Sequence, residues 1–437
     1  MSALEIFSSY VGPSKSDIFS SVHRVPCGQT NAFFHTCIPN EVNQDLPSPV
    51  QLLKCGGAGL SEAQSQTSAI GEGLERFAAV KFSLEAPNYF ADAIQLNDNN
   101  RRHFPPERWL AFEDAQYADK DFPLTQFTQR SKLKWYEAEN LQNGEKVLLP
   151  GPVGVFAYRR TSNEDRISPT TSTGLALGLS KHQAQVAGLL EVIERDAFTL
   201  AWTFCRPAKM VSFSGAELRE MKAQFGLSND VTINAFEVSP FDNISSFIAT
   251  LEVEIDGHPF ICVGSAARCD AREALDKALL EAVQGIPYVQ FLKNKFGASL
   301  PNRFEEVTSF EKSAVFYSLH PETLKEARAF VDGELFAVSG EISCPTPTER
   351  KIHDFESDLS RLVRALSSND HDAFWLDCTA PEFTGTDIVV GRAVVPSLYS
   401  LEGDFRLRNK NRSRADVVSA LEGGWQVKVR PQPHPLP

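Results

Sequence analysis

The sequence contains no long uninterrupted apolar stretch. A membrane-spanning helix needs about 18 or more consecutive apolar residues, and no such run occurs among the 437 residues. The first residues, MSALEIFSSYVGPSKSD, also lack the basic region and apolar core of a secretory signal. These absences predict a cytoplasmic chain without a membrane partner.

Metal-binding patterns of cysteine and histidine are also missing. The eight cysteines include no Cys-x-x-Cys pair, and the nine histidines show no zinc spacing. We expect buried, reduced thiols. The Gly-Gly-Ala-Gly run at 56–59 lacks the Gly-Lys-Ser/Thr ending of a phosphate loop, which argues against a Walker site.

The chain has no excess of positive charge. Its net charge is −13, whereas nucleic-acid-binding proteins normally present a basic face, so we expect no nucleic-acid partner. One local exception is FRLRNKNRSR at 405–414, in which basic residues alternate. This segment is predicted to be a solvated loop or an edge strand.

What the sequence does contain is a duplicated block of twenty residues. GLSEAQSQTSAIGEGLERFA at 59–78 and GLSKHQAQVAGLLEVIERDA at 178–197 share nine identical positions. Composition alone would give about one or two. Each copy has Ser-x-x-Gln near its start, Ser61 with Gln64 and Ser180 with Gln183, which predicts a capped helix.

Each predicted helix carries two stripes of different character. The apolar stripe, expected to face the core, comprises Thr67, Ile70, Leu74 and Phe77 in the first copy and Val186, Leu189, Ile193 and Ala197 in the second. The polar stripe ends in two carboxylates and comprises Gln64, Ser68, Glu72 and Glu75, then Gln183, Ala187, Glu191 and Glu194.

The paired carboxylates indicate a cation site. A single helix of this kind would be interpreted as a solvated face screened by Arg76 or Arg195, but both copies keep a pair that repels slightly. Four such acids form an oxygen-rich site that suits Mg²⁺. Gly71 and Gly73 flank Glu72 and cost about 1 kcal/mol each in a helix, which predicts close approach to this backbone.

A third, weaker copy of the pattern lies at 270–284. Asp270 and Glu273 match a helix cap, and Glu281-Ala-Val-Gln284 resembles Glu-x-x-Glu with one acid replaced. We expect a third helix to bring Glu281 and Gln284 to the same centre.

These motifs resemble those of the YcaO domain, an ATP-using enzyme family with its own nucleotide-binding fold, over most of the chain. Ser68-x-x-x-Glu72-x-x-Glu75-Arg76 is similar to the first ATP/Mg motif, and Thr173-Gly174 through Glu191-Val-Ile-Glu194-Arg195-Asp196 to the second. Glu281-Ala-Val-Gln284 is similar to the third. The resemblance implies metal binding by Glu72, Glu75, Glu191 and Glu194, and a nucleotide site that also includes Ser68, Arg76, Gln183, Arg195, Glu281 and Gln284.

The chain departs from the family pattern at four positions. Leu179, Gln183 and Ala187 stand where polar or acidic residues are common, and Ile286 stands where a basic residue is often found. These changes affect the expected base and ribose contacts more than the metal carboxylates.

The final residues, PQPHPLP, indicate the subclass. Alternating prolines favour a stiff polyproline II chain, although a frayed tail is the default for such an ending. In the azoline-forming YcaO enzymes, Pro-x-Pro-x-Pro is a hallmark that reaches into the active site. The resemblance therefore implies catalytic roles for Pro433, Pro435 and Pro437, with the Pro437 carboxylate in proton transfer.

The activity implied by this resemblance is ATP-dependent cyclodehydration of a ribosomal precursor peptide, as in the biosynthesis of thiazole/oxazole-modified microcins. A Cys thiol, or a Ser or Thr hydroxyl, attacks the preceding carbonyl. ATP then phosphorylates the oxygen of the adduct, which leaves as phosphate and gives a thiazoline or oxazoline. Such a transfer mainly needs positioning and charge neutralisation, which carboxylates with Mg²⁺ and arginines provide.

The resemblance also implies partners. These enzymes recognise the precursor's leader through a separate or fused E1-like module, and we find no further segment large enough to be one. We therefore expect an E1-like partner in a hetero-oligomeric complex, with a homodimer as an alternative assembly. An FMN-dependent dehydrogenase that oxidises azolines is a further candidate partner.

Two other functions remain open at this point. A YcaO enzyme of different chemistry, such as peptide thioamidation, would share the ATP site but need a sulfur donor, and the proline tail argues against it. A non-catalytic scaffold would tolerate the changes at Leu179, Gln183 and Ala187 but would not need four metal-type acids.

The order of predicted elements indicates an α+β fold with mixed sheets packed by helices. Strands are predicted at 33–38, 51–55, 231–238, 246–253, 259–263, 373–376 and 387–395, a hairpin at 134–138 with 145–149, and further helices near 270–294, 321–331 and 352–366. We expect an amino-terminal segment at 1–50, a catalytic domain at 51–430 with an irregular elaboration at 83–130, and the tail at 431–437.

Overall fold

Both duplicated blocks form a long helix in the computed structural model, as their serine caps and apolar spacing predict. The structure describes residues 2–14, 17–26, 30–40, 55–255, 257–299, 301–319, 325, 338–346 and 353–436. The helices of this part, in chain order, are α1 (Ala3–Ser8), α2 (Glu62–Glu85), α3 (Ala93–Asp98), α4 (Asp114–Tyr117), α5 (Gly151–Gly154), α6 (Lys181–Trp202), α7 (Gly215–Phe225), α8 (Ala271–Phe296), α9 (Phe310–Leu319), α10 (Phe355–Ser368) and α11 (Ser413–Leu421).

The strands of the described residues are β1 (Phe19–Arg24), β2 (Phe33–Pro39), β3 (Gly56–Gly59), β4 (Tyr89–Ala91), β5 (Leu133–Asn140), β6 (Lys146–Pro150), β7 (Leu175–Gly178), β8 (Ala208–Ser212), β9 (Thr232–Glu237), β10 (Ser245–Ile255), β11 (His258–Arg268), β12 (Val338–Ser343), β13 (Phe374–Asp377) and β14 (Val389–Val394). They form three sheets. The orders are β1-β2-β3, β11-β10-β9-β8-β12, and β4-β5-β13-β14-β7 with β6 also paired to β5.

The sheets are mixed, as predicted for an α+β fold. Strands β8 and β12 are parallel, whereas β8 to β11 and the six-stranded sheet pair antiparallel. The predicted hairpin is β5 and β6, and the strands near 231–263 are β9, β10 and β11. These confirm the fold class and most of the predicted strands.

The chain divides into two compact units. The first comprises residues 1–25, 34–192 and 353–400, and the second comprises 26–33, 193–352 and 401–437. The first unit carries the three-stranded sheet, apart from Phe33, and the six-stranded sheet. Its core includes Phe19, Leu74 and Trp135.

The second unit carries the five-stranded sheet. Its core includes Phe198, Trp202, Tyr317 and, from the proline-rich end, Leu436. The boundary between the units falls inside α6, after Val192, so the second duplicated helix contributes residues to both.

The basic segment at 405–414 differs from its prediction as a solvated loop or edge strand. Phe405–Leu407 form one 3-10 turn and Ser413 begins α11. The side chains of Arg408 and Arg414 are buried, and Arg414 pairs with Asp196 in the second unit. The alternation of basic residues does not predict exposure here, because acceptors from distant parts of the chain bind Arg408 and Arg414.

Two further predictions fall on parts of the chain outside the described residues. All of the helix predicted near 321–331 except residue 325 lies there, and so do residues 51–54 of the strand predicted at 51–55. Within the described ranges, no helix is both long enough and apolar enough to cross a membrane.

Candidate active site

The two duplicated blocks build the same local structure, a short strand followed by a capped helix. The hydroxyl of Ser61 accepts the amide of Gln64 at 3.3 Å, and that of Ser180 accepts the amide of Gln183 at 3.2 Å. Each glutamine side chain then accepts an amide one residue before the serine, from Leu60 at 3.1 Å or Leu179 at 2.8 Å. The structure confirms both predicted caps, except that each glutamine side chain accepts the amide of the residue before the serine and not the amide of the serine itself.

Gln183 therefore has a structural role in the cap. Its predicted contact with the nucleotide stays a prediction, as does that of Ser68, which is exposed on α2. The predicted apolar stripes are buried at Ile70, Leu74 and Phe77 and at all four positions of the second helix, while Thr67 is half-buried.

The first carboxylate of each pair accepts a glycine amide from the start of the strand: Gly56 is the first residue of β3, and Gly174 directly precedes β7. Gly56 N donates to Glu72 Oε2 at 2.7 Å, and Gly174 N donates to Glu191 Oε2 at 3.1 Å. Each bond fixes one oxygen of the carboxylate in place. The repeat in sequence is thus a repeat of carboxylate geometry.

The first unit brings three of the predicted metal ligands together. Glu72 Oε1 pairs with Arg76 Nη2 at 2.6 Å. Burial, followed by repulsion from Glu191 and then Glu72, raises the pKa of Glu75 well above its usual value, although Arg76 and a hydrogen bond from the Leu177 amide oppose this shift. Glu75 of the first copy therefore lies beside Glu191 and strand β7 of the second copy.

This arrangement fits a divalent cation. Glu75 lies between the charges of Glu72 and Glu191, Arg76 offsets part of this repulsion, and a hard cation would relieve the rest. In the described part of the chain, no three His, Cys, Asp or Glu side chains are grouped to enclose a metal alone. Mg²⁺ at nucleotide sites commonly takes only one or two protein carboxylates, and phosphate oxygens and water complete its shell.

The fourth predicted ligand, Glu194, belongs to the second unit. It is buried, accepts the hydroxyl of Ser265 at 2.6 Å and lies 3.5 Å from the guanidinium of Arg195. A Cβ on Gly264 would meet Glu281 Cβ at 2.8 Å, so Glu281 on α8 packs beside the strand position that precedes Ser265.

The third motif is helical, as predicted. Asp270 caps α8 by accepting the amide of Glu273 at 3.0 Å, and Glu281 pairs with Lys277 at 3.1 Å. Gln284 is half-buried one turn further along α8. Glu194 and Glu281 thus contact consecutive residues of β11, whose side chains point to opposite faces of the strand. The predicted grouping of the second and third motifs at one centre stays a prediction.

Three residues that hold the predicted carboxylates, or the turn beside one of them, were not predicted from the sequence. Gly56, which looked like part of a degenerate phosphate loop, supplies an amide to Glu72, and Ser265 supplies a hydroxyl to Glu194. Arg392 on β14 donates to the carbonyl of Thr173 at 3.0 Å and so fixes the turn that presents Gly174. Strand residues that meet a helix from far along the chain leave no local pattern in the sequence.

The predicted close approach at Gly71 and Gly73 is confirmed. A Cβ on Gly73 would overlap the ring of Phe19, and one on Gly71 would lie 3.3 Å from the ring of Phe7. The atoms that approach are core aromatics of the first unit, so these glycines serve packing behind the carboxylates.

The proline-rich end is packed, and the default expectation of a frayed tail is wrong for residues 433–436. Pro433, His434, Pro435 and Leu436 are buried, and the Pro433 carbonyl accepts the hydroxyl of Tyr317. Pro437 lies outside the described residues, so the role of its carboxylate stays a prediction.

The chain resembles known proteins in both sequence and structure. A profile of the YcaO family, described as an ATP- and Mg²⁺-binding YcaO cyclodehydratase, matches residues 56–399. An uncharacterised protein of Methanothermobacter thermautotrophicus is 24% identical over 234 residues, which cover 52% of this chain and 56% of that protein. The chain thus spans about half the length of this relative.

Solved structures share the fold. A heterocyclase in complex with substrate and cofactor matches with a TM-score of 0.74 at 18% identity, over 99% of this chain and 56% of that chain. YcaO from Methanopyrus kandleri, bound with AMPPCP and Mg²⁺, matches with a TM-score of 0.58 at 18% identity, over 90% and 89%. The E. coli microcin synthetase McbBCD complex gives 0.60 at 14% identity, over 89% and 90%.

The family profile covers most of the chain and includes all three carboxylate motifs, and the shared fold agrees with it. The chain therefore belongs to the YcaO family, and its cofactors are ATP and Mg²⁺, as predicted.

Proposed function

We propose that this chain is an ATP-dependent peptide cyclodehydratase. The reaction converts Cys, Ser or Thr of a ribosomal precursor peptide into a thiazoline or oxazoline. The substrate's thiol or hydroxyl attacks the preceding backbone carbonyl, and the adduct oxygen receives the γ-phosphoryl group of ATP. The C–O bond then breaks and phosphate leaves, so that the products are the azoline, ADP and phosphate.

The observation that carries this proposal is the duplicated carboxylate arrangement. Glu72 and Glu191 are each held by a glycine amide, and Glu75 lies in the charge field of both. Phosphoryl transfer depends on fixed charges that neutralise the developing phosphate charge. Carboxylates that are fixed before the nucleotide binds would hold the Mg²⁺ ions that supply this positive charge.

The individual roles follow from these contacts and from the family motifs. Glu72, Glu75, Glu191 and Glu194 would hold Mg²⁺ against the phosphates. Arg76 and Arg195, each beside one of these acids, would orient the carboxylates or contact the phosphates. Ser68, Gln183, Glu281 and Gln284 would line the nucleotide site.

We extend the proposal to partners. One structural relative is a microcin synthetase complex, and the same complex has been solved with pro-MccB17 bound. We propose that this chain likewise works in a hetero-oligomeric complex with a precursor peptide and a leader-recognition protein of the E1-like type. An FMN-dependent dehydrogenase would act after this step, on the azoline.

Mass spectrometry tests the proposal. The Cys/Ser/Thr-rich peptide encoded beside this chain is incubated with the chain, the proteins encoded next to it, ATP and Mg²⁺. Each cyclised residue should lower the peptide mass by about 18 Da, with one phosphate released per ring in step with the transfer. ATP hydrolysis without a mass change would contradict cyclodehydration, and retention of full activity by Glu75→Gln would contradict the metal-site assignment.

A further inference from the structure

The segment from Gln432 to Leu436 is held by named side chains of the second unit. Prolines lack an N–H, so the carbonyl groups are the main backbone positions by which such a segment can be bound. The Gln432 carbonyl accepts Arg408 Nη1 at 2.8 Å and Trp202 Nε1 at 3.4 Å. The next carbonyl, of Pro433, accepts the hydroxyl of Tyr317.

The side chain of His434 makes a hydrogen bond in the opposite direction, from the segment to the rest of the second unit. Its Nε2 lies 2.9 Å from the carbonyl oxygen of Glu402, and because a carbonyl can only accept, Nε2 carries the proton. Burial, with a smaller contribution from Arg195 and Arg408, lowers the pKa of His434 to about 4. The ring is therefore neutral near pH 7 and keeps its single donor on Nε2.

Aromatic rings enclose this histidine. The ring centroid of Phe310 lies 5.5 Å from that of His434, and the ring centroid of Phe198 lies 6.3 Å away. Tyr317 in turn packs edge-on against Trp202 at 6.0 Å. The hydrogen bonds of Tyr317 and His434 to the two carbonyl groups are both buried, and a hydrogen bond in such a setting fixes position strongly.

We propose that Tyr317 and His434 are positioning residues that hold the segment 432–436 in one conformation, and that turnover depends on this hold. The inference rests on the proposed function, in which the proline-rich segment takes part in cyclisation. Neither side chain is assigned a contact with ATP. Their loss should therefore lower kcat while the affinity for nucleotide stays the same.

Three variants and one control test this. Tyr317→Phe removes only the hydroxyl, and His434→Leu removes the donor but keeps an apolar side chain. His434→Gln keeps an N–H donor near the position of Nε2 and should restore function. Tyr10→Phe is the matched control, because it removes a hydroxyl that also donates to a backbone carbonyl, that of Glu382 at 3.4 Å, in the first unit.

The first measurement is hydrogen–deuterium exchange of the peptide that contains His434 and Leu436. Exchange should accelerate by about fivefold or more in Tyr317→Phe and His434→Leu, as expected for one lost hydrogen bond, and stay at the parent rate in His434→Gln and Tyr10→Phe. The second is turnover of the peptide by the assembled proteins. kcat should fall about 10–100-fold in the first two variants, with unchanged affinity for an ATP analogue and Mg²⁺.

The outcomes separate the two proposals. If the parent gives no cyclised product, the proposed function fails, while the exchange rates still show whether the two side chains hold the segment. Unchanged exchange in Tyr317→Phe and His434→Leu overturns the positioning role. Faster exchange with parent-like kcat overturns the dependence of turnover on this hold, and so does failure of His434→Gln to restore kcat.

Discussion

Several neighbouring charges of the site affect the pKa of Glu75. It is half-buried on α2, and its carboxyl experiences both the other acid of its own motif and Glu191 of the second copy. Such a group destabilises the protein when it is ionised without a cation, because two like charges are kept close together in a region of reduced solvation. The same charge becomes favourable once Mg²⁺ is bound.

Replacement of Glu75 by Gln should separate these two effects. Without Mg²⁺, Glu75→Gln should melt at the same temperature as the parent or higher, since it removes a repulsive charge. With ATP and Mg²⁺, turnover should fall about 100-fold or more, as when a fixed charge partner of a transition state is removed. Calorimetry with and without Mg²⁺ and a phosphate-release assay measure the two effects.

Glu85→Gln is the matched control, because Glu85 is exposed at the end of the same helix. It should change neither quantity. A Glu75→Gln variant that melts well below the parent in the absence of Mg²⁺ would contradict the charge-repulsion argument.

At the scale of the element, the repeated strand and helix depend on glycine at their contact. A Cβ on Gly57 of β3 would lie against the backbone of Ser65 and Ala69 on α2, and a Cβ on Gly178 of β7 would lie 2.6 Å from Ala184 N on α6. Backbone atoms cannot move aside as a side-chain end can. Both copies therefore need a residue without a side chain at the point where strand and helix touch.

Gly57→Ala should destabilise the protein by about 1–3 kcal/mol, the usual cost of an overpacked contact. It should also weaken nucleotide binding, because Gly56 supplies the amide that holds Glu72. Urea unfolding monitored by circular dichroism measures the first effect. Gly215→Ala serves as the control, since its Cβ would meet only a flexible arginine end at 3.4 Å; equal losses in the two variants would contradict the packing argument.

A buried ion pair fixes the second duplicated helix, α6. Arg414 on α11 donates to Asp196 on α6 through Nε at 2.6 Å, and the exposed fractions of the two side chains are 6% and 0%. Asp196 follows directly after the Glu-x-x-Glu-Arg motif. The pair therefore holds the carboxyl end of that motif inside the second unit.

Asp196→Asn should cost about 3–5 kcal/mol of unfolding free energy, because it leaves the Arg414 charge buried without a counter-ion. Arg412→Ala, which breaks the exposed pair with Asp416 on the same helix, should cost less than about 1 kcal/mol. Denaturant unfolding compares the two. A cost for Asp196→Asn as small as that for Arg412→Ala would show that the buried pair does not hold α6.

Across the whole molecule, the features that could be predicted from the sequence are those that a local pattern of residues determines. The helix caps at Ser61 and Ser180, the apolar stripes and the β5–β6 hairpin all follow from residues a few positions apart. The carboxylates of the site were predicted because the repeat made them conspicuous.

The groups that hold these carboxylates, and the turn beside one of them, could not be predicted in this way. Ser265 lies 71 positions from Glu194, and Arg392 lies 219 positions from Thr173. The basic segment was predicted wrongly for the same reason, because the partner of Arg414 is 218 positions away. Only tertiary packing brings such groups together, and no spacing in the sequence records it.

The proposed reaction is tested most directly by tracing one oxygen atom of the precursor peptide. The precursor peptide is prepared with ¹⁸O in the backbone carbonyl that precedes the reacting Cys, Ser or Thr, and is then cyclised with ATP and Mg²⁺. If the adduct oxygen takes the γ-phosphoryl group and leaves with it, the released phosphate will carry the label, one atom per ring. Label found in water, with unlabelled phosphate, would contradict phosphorylation of the amide oxygen.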